Sequence, residues 1–384
     1  MTDNQNTGAS YAAAGVDIEA GDRAVELFAP IAKKATRPEV RGGLGGFAGL
    51  FALGDYKKPL LAAASDGVGT KLAVAQAMGK HDTIGRDLVA MVVDDLVVCG
   101  AEPLFLQDYI AIGKVVPEHV AQIVSGIAEG CIDAGCALLG GETAEHPGVM
   151  EPDEYDVSAT GVGVVEEDKL LGPDRVREGD VIIAMASSGL HSNGYSLARH
   201  VLLEHAALPL DEHMEDFGRT LGEELLEPTR LYTRACLDLV TAFNGDPAEE
   251  AISPEAPVRG FSHVTGGGLA ANLARVLPTG LLATVDRSSW AWHPVFSVMA
   301  DLGQVPQADM ERTLNLGVGM VAVVSPDAAD AAVAHLNAAG QKAWVMGEVG
   351  HYTPEDVAEA GENFVQGAKG VDGGGVLLTG RHAS

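Results

Sequence analysis

Apolar runs of two lengths alternate along the chain, and their alternation predicts strands followed by helices. Short runs bounded by glycine, proline or charged residues have the length of buried strands. Longer runs with apolar residues three and four positions apart have the spacing of helices. In the first part of the chain this pattern predicts strands at residues 60–64, 104–112, 136–141 and 157–165, and helices at residues 25–34, 84–99 and 117–134.

A segment rich in turn-forming and charged residues, 170–180, interrupts this pattern. After it the alternation restarts, and it predicts a strand at 181–188, helices from about Gly194 and from Pro228, a helix at 269–277 and a last strand at 376–379. A chain of 384 residues exceeds the usual size of one domain. We therefore predict two α+β or α/β domains, at residues 1–172 and 173–384.

The composition is that of a globular protein with many tight turns. Hydrophobic residues make up 47% of the chain and charged residues 21%, which is enough apolar material for a sizeable core. The 48 glycines amount to one residue in eight, nearly double the average usage, and they indicate many turns between strands and helices. The formal net charge of −29 argues against binding to nucleic acid, which needs clustered Lys and Arg.

The cysteines and the hydropathy pattern favour a cytoplasmic protein. Four cysteines, Cys99, Cys131, Cys136 and Cys236, show no metal-ligand spacing, so we expect free buried thiols in a reducing compartment. No apolar run approaches membrane-spanning length, and no secretory signal pattern opens the chain. We therefore expect cytoplasmic localisation without membrane contact.

Two carboxylates lie inside an apolar helical run, in the segment VAMVVDDLVVCG. A buried carboxylate costs several kcal/mol unless a metal, a cation or hydrogen-bond donors satisfy it. Asp94 and Asp95 therefore indicate a metal or nucleotide site, and Asp87, seven residues earlier on the same helical face, could supply a third acid. The alternative interpretation is that one of the pair is a solvated group near the helix end.

Two further acids follow predicted strands. Asp66 belongs to SDGVGTKL, directly after the strand at 60–64, and Glu142 belongs to GGETAEHPG, after the strand at 136–141. SDGVGTKL contains glycines, Thr and Lys, but its spacing is not that of a Walker A loop. Because ligands collect at the carboxyl ends of strands in α/β sheets, Asp66 and Glu142 together with the helical acid could form an oxygen-ligand set for Mg²⁺.

The second part of the chain contains two glycine-rich loops with a histidine beside each. MASSGLHSNGYSL places His191 between a strand and a helix, and HVTGGGLAANL places His263 in a similar position. Backbone N–H groups in such loops suit an anion, although the GxGxxA-like spacing is weak by itself. Either histidine could equally be a packed structural residue.

The residues alone thus indicate an enzyme of phosphate chemistry, with acids and metal in one half and glycine loops in the other. The rival class is a regulatory or scaffold module that binds a nucleotide without turnover. The embedded pair Asp94 and Asp95 favours the enzyme, because a protein that only binds has less need of buried carboxylates.

Ten motifs resemble, in the same order, those of the phosphoribosylformylglycinamidine cyclo-ligase (aminoimidazole ribonucleotide synthetase) family. The resemblance covers roughly residues 10–347, and its motifs are SYAAAGVDIEAGDRAV, RPEVRGGLGGFAGLF, SDGVGTKL, HDTIGRDLVAM, DDLVVCGAEPLF, GIAEGC, GGETAEHPG, SSGLHSNGYSLAR, TGGGLAANLARVLP and LNLGVGM.

The resemblance implies the family's two-domain fold and its reaction. An N-terminal domain would bind ATP and form a homodimer, its sheet pairing with that of the partner into a barrel, and a C-terminal domain would carry the phosphate-binding loops. The family uses ATP and Mg²⁺ to close the imidazole ring of formylglycinamidine ribonucleotide, through phosphorylation of the amide oxygen. The products are aminoimidazole ribonucleotide, ADP and phosphate, in purine biosynthesis.

The resemblance also implies roles for individual residues. The metal ligands would be Asp66, Asp95 and Glu142, and the catalytic residues Lys71, His191 and His263. The ATP site would comprise Gly42, Gly43, Gly45, Gly46, Asp66, Gly67, Gly69, Thr70, Lys71 and Asp95, with the segment 42–46 covering the nucleotide. The ribonucleotide and its phosphate would be bound by Ser192, Asn193, Thr265, Gly266, Gly267 and Gly268.

The chain departs from the family pattern in a few places. Asp94 stands where Asn is usual, His146 where Met is usual, and Leu316 where Cys is common. The acidic loop 244–260 and the C-terminal tail lie outside the matched motifs. Relatives of the same fold act on thiamine monophosphate, selenide or a hydrogenase-maturation thiocarboxamide. Because they lack the SYAAAGVDI and HSNGYSL motifs in this form, the cyclo-ligase is the better match.

Overall fold

The structure of the chain is a computed structural model that describes residues 14–42, 46–245, 252–367 and 373–383. The predictions for Gly43 and Gly45 lie outside the described residues, as do the first nine residues and part of the acidic loop 244–260. Within the described parts, no helix is long and apolar enough to cross a membrane.

The strands fall into two main sheets and two short hairpin-like pairs. Their bounds are β1 Val40–Arg41, β2 Leu50–Phe51, β3 Pro59–Gly67, β4 Glu102–Ile112, β5 Ala137–Glu145, β6 Tyr155–Glu166, β7 Val181–Ala186, β8 His213–Met214, β9 Arg219–Thr220, β10 Val258–His263, β11 Leu281–Asp286, β12 Val318–Val324, β13 Ala343–His351, β14 Phe364–Gln366 and β15 Gly375–Thr379.

The α-helices alternate with the strands in both halves of the chain. Their bounds are α1 Ile18–Ala32, α2 Leu72–Met78, α3 Ile84–Val97, α4 Pro117–Ala134, α5 Tyr195–Arg199, α6 Leu221–Leu225, α7 Thr233–Asn244, α8 Gly268–Ala274, α9 Pro294–Gly303, α10 Gln307–Thr313, α11 Ala329–Ala338 and α12 Pro354–Ala360. A π-helical turn, His200–His205, continues α5.

The first main sheet has four strands in the order β3-β6-β4-β5, and α3 and α4 cover one of its faces. Burial alternates along the first part of β6, where Val157 and Ala159 are buried and Ser158 and Thr160 are exposed. This period of two is that of a sheet with one covered and one open face. The pairing β4·β5 is parallel, and the other two are antiparallel.

The second main sheet has seven strands in the order β10-β12-β7-β13-β11-β15-β14, antiparallel except for β11·β15. Ile182 and Ala184 of β7 pack in the core that contains α8, whereas Ile183 and Met185 pack in the core that contains α7 and α11. Because both faces of β7 are covered, its apolar run is continuous and does not alternate.

Most predicted elements are confirmed, but some bounds are different. The helix predicted at 117–134 has those bounds, and the strand predicted at 376–379 lies within β15. β3 runs to Gly67 because it pairs with β6 as far as Ser158, and β5 runs to Glu145 because it pairs with β4 along its length. The helix expected from Pro228 begins only at Thr233.

The two halves of the chain share a hydrophobic core. Val74 and Leu88 from the first half are buried in one cluster with Tyr195 and Phe296 from the second half. The four-stranded sheet ends at Glu166 and the seven-stranded sheet begins at Val181. The division into domains at residues 1–172 and 173–384 stays a prediction.

Candidate functional site

The loop that follows β3 docks against the second half of the chain. The Gly67 amide donates a hydrogen bond of 2.7 Å to Asp66 Oδ1, and Gly69 has a φ of +75°, which favours glycine. The hydroxyl of Thr70 lies 3.2 Å from that of Ser196 on α5. Asp66 thus occupies the penultimate position of β3, next to a turn held between the two halves.

His263, at the end of β10, pairs with Asp95 of α3. The distance from His263 Nδ1 to Asp95 Oδ1 is 2.8 Å, with the His263 side chain 2% exposed and the Asp95 side chain 46% exposed. Burial opposes the charged imidazolium, but the hydrogen bond that His263 donates to Asp95 and the charges of Asp94, Asp95 and Asp66 outweigh it and raise the pKa of His263. His263 Nε2 is buried and has no hydrogen-bond partner within the described residues.

Asp66 and Asp95 lie close enough to repel each other. Burial raises the pKa of Asp66, and the negative charge of Asp95 raises it further. Two carboxylates that lie this close together favour a cation between them. Mg²⁺ commonly binds one or two protein carboxylates together with substrate phosphates. The donor set of Asp66 and Asp95 therefore fits Mg²⁺, although no group of three His, Cys, Asp or Glu side chains in the described ranges is arranged to hold a metal.

Glu142 does not join Asp66 and Asp95 on the same side of the sheet. The strand register aligns Asp66, Ala159, Asp108 and Gly141 in one row across the sheet, and Gly67, Ser158, Tyr109 and Glu142 in the next. Side chains of successive rows point to opposite faces. Glu142 therefore lies on the open face, and the predicted three-acid set is not assembled within this chain.

Asp94 has a different role from its neighbour Asp95. Its fully buried carboxylate accepts hydrogen bonds from the Tyr232 amide at 3.1 Å and from Thr233 Oγ1 at 2.7 Å, at the start of α7. Burial raises the pKa of Asp94 to about 6, against the opposing effects of His263 and of the hydrogen bond from Thr233. The start of α7 thus accounts for the burial of Asp94, and a metal or nucleotide site at Asp95 stays a prediction.

Lys71 and Asp87 form a buried ion pair away from Asp95. The distance from Lys71 Nζ to Asp87 Oδ1 is 2.8 Å, and both side chains are 0% exposed. Nζ also donates to the carbonyl oxygens of His191 and Glu227, so its three hydrogens all have acceptors. This geometry does not support the predicted contact of Lys71 with ATP phosphates, nor Asp87 as a third acid of the metal site.

The first glycine-rich loop of the second half has a left-handed residue at its centre. His191 has a φ of 65°, and its Nε2 accepts a hydrogen bond of 3.1 Å from the Ser188 amide. Burial lowers the pKa of His191, and the charges of His263 and Lys71 lower it further. His191 is therefore a buried residue whose neutral form is favoured, and its catalytic role stays a prediction.

The second glycine-rich loop lies beside the first. The nearest atom to a side chain added at Gly266 would be Asn193 Nδ2, so the two loops approach each other. Gly267 and Gly268 have φ values of +108° and +74°, and a Cβ atom on Gly268 would overlap the Glu311 carbonyl oxygen. Asn272 holds the loop through bonds from its Nδ2 to Thr265 O at 3.2 Å and Gly268 O at 2.8 Å.

Several residues that support these loops were not predicted. Asn315 Nδ2 donates to the carbonyl oxygens of Gly189 and Leu190, and Thr229 contacts the hydroxyl of Ser192 at 3.1 Å. Asn315 lies inside the LNLGVGM motif, so the motif was a signal for it. Thr229 lies in an unremarkable polar segment, and nothing in its spacing marks it.

Asp108 is a further acid that the sequence analysis did not single out. It shares the sheet row of Asp66, and burial raises its pKa to about 7. A charged residue inside the apolar run of β4 was the available signal.

Gly49, directly before β2, lies near the start of β5. Gly42 has a φ of +84°, and a side chain on Gly49 would meet Leu139. The role of Gly42 and Gly46 in covering a nucleotide stays a prediction. A cleft of about 920 Å³ lies elsewhere, between residues 54–58, 164–169 and the side of α7, and none of the predicted site residues lines it.

Comparison with known families matches both halves of the chain. Residues 48–165 match the N-terminal domain of the family described as AIR synthase related protein, and residues 177–355 match its C-terminal domain. Together these matches span more than half of the chain.

Relatives from several bacteria are similar over about nine-tenths of the chain. The phosphoribosylformylglycinamidine cyclo-ligase of Desulfitobacterium hafniense is 48% identical over 89% of this chain and 97% of its own length. That of Anaeromyxobacter dehalogenans is 50% identical over 88% and 95%, and that of Acetivibrio thermocellus is 48% identical over 88% and 96%.

Solved structures with the same fold are more distant in sequence. Thiamine-monophosphate kinase from Stenotrophomonas maltophilia has a TM-score of 0.60 at 19% identity, covering 92% of this chain and 96% of its own. The hydrogenase maturation protein HypE in complex with ATP has a TM-score of 0.60 at 18% identity, covering 94% of each chain. At these identities the similarity shows the fold alone.

Proposed function

Because the chain belongs to the phosphoribosylformylglycinamidine cyclo-ligase family, we propose that it closes the imidazole ring of formylglycinamidine ribonucleotide in purine biosynthesis. The reaction consumes ATP and yields aminoimidazole ribonucleotide, ADP and phosphate. The observation that carries this function is the 48–50% identity to cyclo-ligases over about nine-tenths of the chain.

The candidate site suits the transfer of a phosphoryl group followed by ring closure. The amide oxygen of the substrate accepts the γ-phosphoryl group of ATP, an internal nitrogen then attacks the same carbon, and phosphate leaves with that oxygen. Such a reaction needs positioning and neutralisation of charge more than a covalent nucleophile. We assign the ATP phosphates to the side of Asp66 and Asp95, and the ribonucleotide to the loops 191–193 and 265–268.

We infer that His263 accepts a proton in this site. Asp95 Oδ1 lies 2.8 Å from Nδ1, which favours the tautomer with its hydrogen on Nδ1 and a free lone pair on Nε2. Nε2 has no protein partner in the described ranges. It could therefore accept the hydrogen that the attacking nitrogen loses, with the Asp95 carboxylate stabilising the imidazolium.

Asp66 and Asp95 would hold Mg²⁺ together with the phosphates of ATP. When bound, the ion supplies positive charge that offsets the negative charge of the phosphates and of the two carboxylates. Burial and the nearby negative charge of Asp95 both raise the pKa of Asp66, and this closeness of the two carboxylates supports the placement.

We further propose a cytoplasmic homodimer. The open face of the four-stranded sheet exposes apolar side chains, including Leu61 at 64% and Tyr109 at 40%, as expected of a surface that another chain covers. Glu142 lies on this same face. Cys99, Cys131, Cys136 and Cys236 are all free thiols, which agrees with a reducing compartment.

One assay distinguishes the proposed enzyme from the rival class, a module that binds a nucleotide without turnover. The purified protein is incubated with ATP, Mg²⁺ and formylglycinamidine ribonucleotide, while ADP is followed by a coupled assay and aminoimidazole ribonucleotide by chromatography. The proposed function predicts equal amounts of the two products, both dependent on the ribonucleotide. ADP release without the ribonucleotide, or ATP binding without ADP release, would contradict it.

The variant Asp95→Ala tests the placement of the metal and of His263. It removes one carboxylate of the pair and the partner of His263 Nδ1, so kcat should fall by roughly a hundredfold or more. The control is Asp82→Ala, since Asp82 forms an exposed ion pair with Lys80. Turnover of Asp95→Ala equal to that of the control would refute the assignment of Asp95.

A further inference from the structure

The Lys71 ammonium has three hydrogen-bond acceptors, and two of them belong to the second half of the chain. Its ammonium donates to Asp87 Oδ1 at 2.8 Å, to the His191 carbonyl at 3.0 Å and to the Glu227 carbonyl at 2.7 Å. The ammonium also lies 5.5 Å from the centre of the Tyr195 ring. Since two of these acceptors are backbone atoms of the second half, the position of Lys71 and the course of that backbone depend on each other.

Asp87 is linked to Ser192 through hydrogen bonds with Thr229. Its Oδ1 accepts from the Thr229 amide at 2.7 Å and from Thr229 Oγ1 at 2.6 Å, in addition to Lys71. The Thr229 hydroxyl in turn lies 3.1 Å from Ser192 Oγ. One buried carboxylate oxygen therefore orders the residue that contacts Ser192.

The peptide that Lys71 holds is a strained one. His191 has a φ of 65°, which is uncommon for a residue other than glycine and persists only when its surroundings impose it. The bond from Lys71 to the His191 carbonyl and the bond from the Ser188 amide to the His191 ring are two such constraints. Without Lys71, the segment 191–193 would lose a direct constraint on its backbone.

We propose that Lys71 and Asp87 are positioning residues that fix the loop 191–193 in the geometry that binds the ribonucleotide. They act through the His191 peptide and through Thr229, and they hold this loop at a set distance from Asp66, five residues before Lys71. This inference rests on the proposed function, because it takes the ribonucleotide as the ligand of the loop. It differs from the role expected of Lys71 from the sequence, which was a contact with ATP.

Removing both charged residues together separates their effect on substrate binding from their effect on stability. Lys71→Met or Asp87→Leu alone leaves an uncompensated buried charge and should unfold or strongly destabilise the protein. The double variant Lys71→Met/Asp87→Leu replaces the pair by apolar side chains and should recover thermal stability. It does not restore the bonds to the His191 carbonyl and to Thr229.

The kinetic constants of the double variant decide the proposal. We expect the KM for formylglycinamidine ribonucleotide to rise by roughly tenfold to a hundredfold, because small displacements of a binding loop have effects of this size. The KM for ATP should change by less than about threefold, because most substitutions outside the main binding contacts change affinity only slightly. Wild-type kinetic constants, or a larger rise in the KM for ATP than for the ribonucleotide, would overturn the proposal.

Thr229→Val provides a second test that does not depend on the double variant folding. It removes only the hydroxyl between Asp87 and Ser192 and retains the Thr229 amide. The KM for the ribonucleotide should rise several-fold in a variant that remains folded at the assay temperature. Thr241→Val, at an exposed position on α7, is the matched control. A ribonucleotide KM equal to that of the control would overturn the role of Asp87.

Asn193→Ala distinguishes failure of this inference from failure of the proposed function. If it raises the KM for the ribonucleotide while Thr229→Val and the folded double variant do not, only the positioning role fails. If the wild-type protein forms no aminoimidazole ribonucleotide, or Asn193→Ala has no effect, the proposed function or its placement of the ribonucleotide fails.

Discussion

Individual residues in this site are held in conformations that their neighbours impose. His191 adopts a left-handed backbone while its carbonyl and ring are both hydrogen-bonded. Gly268 also has a positive φ, at a point where the backbone of Glu311 leaves no room for a side chain. Both residues lie in loops that we assign to the ribonucleotide, so local strain and close approach coincide with the site.

Gly268→Ala should be strongly destabilising. The added Cβ would overlap the Glu311 carbonyl oxygen, and alanine disfavours a φ of +74°. We expect a loss of about 2–4 kcal/mol in the free energy of unfolding, measured with urea. The control is Gly280→Ala, because Gly280 has a φ of +90° but open space around it, so that only about 1 kcal/mol should be lost. Equal losses in the two variants would show that the overlap is relieved.

His81 should make stability dependent on pH. It is buried against Tyr155 and His119, and burial, together with the charge of His119, lowers its pKa to about 4, while Asp82 opposes this shift. Because the folded state binds this proton less readily than the unfolded state, stability falls as pH drops below the unfolded value of 6.5.

We expect His81→Gln to remove about 1–2 kcal/mol of the stability loss between pH 7 and pH 5. Urea unfolding at several pH values measures this difference. His351→Gln, at an exposed position, is the control. If His81→Gln and wild type lose stability in parallel over this range, the folded state does not exclude the proton from His81.

Among the helices, α7 begins at a residue that is determined by a charged side chain from the other half of the chain. The helix begins at Thr233, where Asp94 of α3 accepts hydrogen bonds from the Tyr232 amide and the Thr233 hydroxyl. The sequence pattern favoured a start near Pro228, because proline commonly occupies the first turn of a helix. The contact with Asp94, which is distant in sequence, displaces the start to Thr233.

Asp94→Ala should destabilise the start of α7. It leaves the Tyr232 amide and the Thr233 hydroxyl buried without this acceptor, so we expect a loss of about 1–3 kcal/mol in the free energy of unfolding. Asp94→Asn retains an acceptor oxygen and should stay within about 1 kcal/mol of wild type. Chemical unfolding at one fixed protein concentration compares them. An Asn variant as unstable as the Ala variant would mean that the charge, rather than the hydrogen bonds, matters at this position.

At the scale of the whole molecule, the open face of the four-stranded sheet bears on assembly. Leu61→Glu places a charge on this face, on the edge strand β3, and should convert the proposed dimer to a monomer, seen by size-exclusion chromatography with light scattering. Val345→Glu alters a similarly exposed apolar residue on the other sheet and should leave the dimer intact. A monomeric wild type, or a dimeric Leu61→Glu variant, would contradict the proposal that this face forms the dimer interface.

Much of the architecture could be predicted from local patterns. The period of two in β6 and the helical spacing of α3 and α4 are properties of adjacent residues, so these elements were located to within a few positions. The strand ends were not, because β3 and β5 continue for as long as they have pairing partners in β6 and β4. Pairing is a contact between distant residues, which no local pattern records.

The candidate site was predictable in its residue types but not in its arrangement. Asp95, His263 and the loop 265–268 were expected to take part in binding or catalysis, and the structure brings Asp95 and His263 to 2.8 Å. Lys71 and Glu142 lie in motifs that were assigned to the same site, yet Lys71 is buried against Asp87 and Glu142 lies on the open face of the sheet. A motif specifies which side chains are present, whereas their direction depends on strand register and burial.

The sequence by itself determined the family, the alternation of strands and helices, and the presence of acids and glycine loops suited to phosphate chemistry. These follow from residue identity and spacing along the chain. Only the tertiary structure decided that Asp94 caps a helix while Asp95 pairs with His263, and that Lys71 links the two halves. The physical reason is that the energy of a charged side chain depends on the partners and the solvent around it, and folding supplies both from residues far away in sequence.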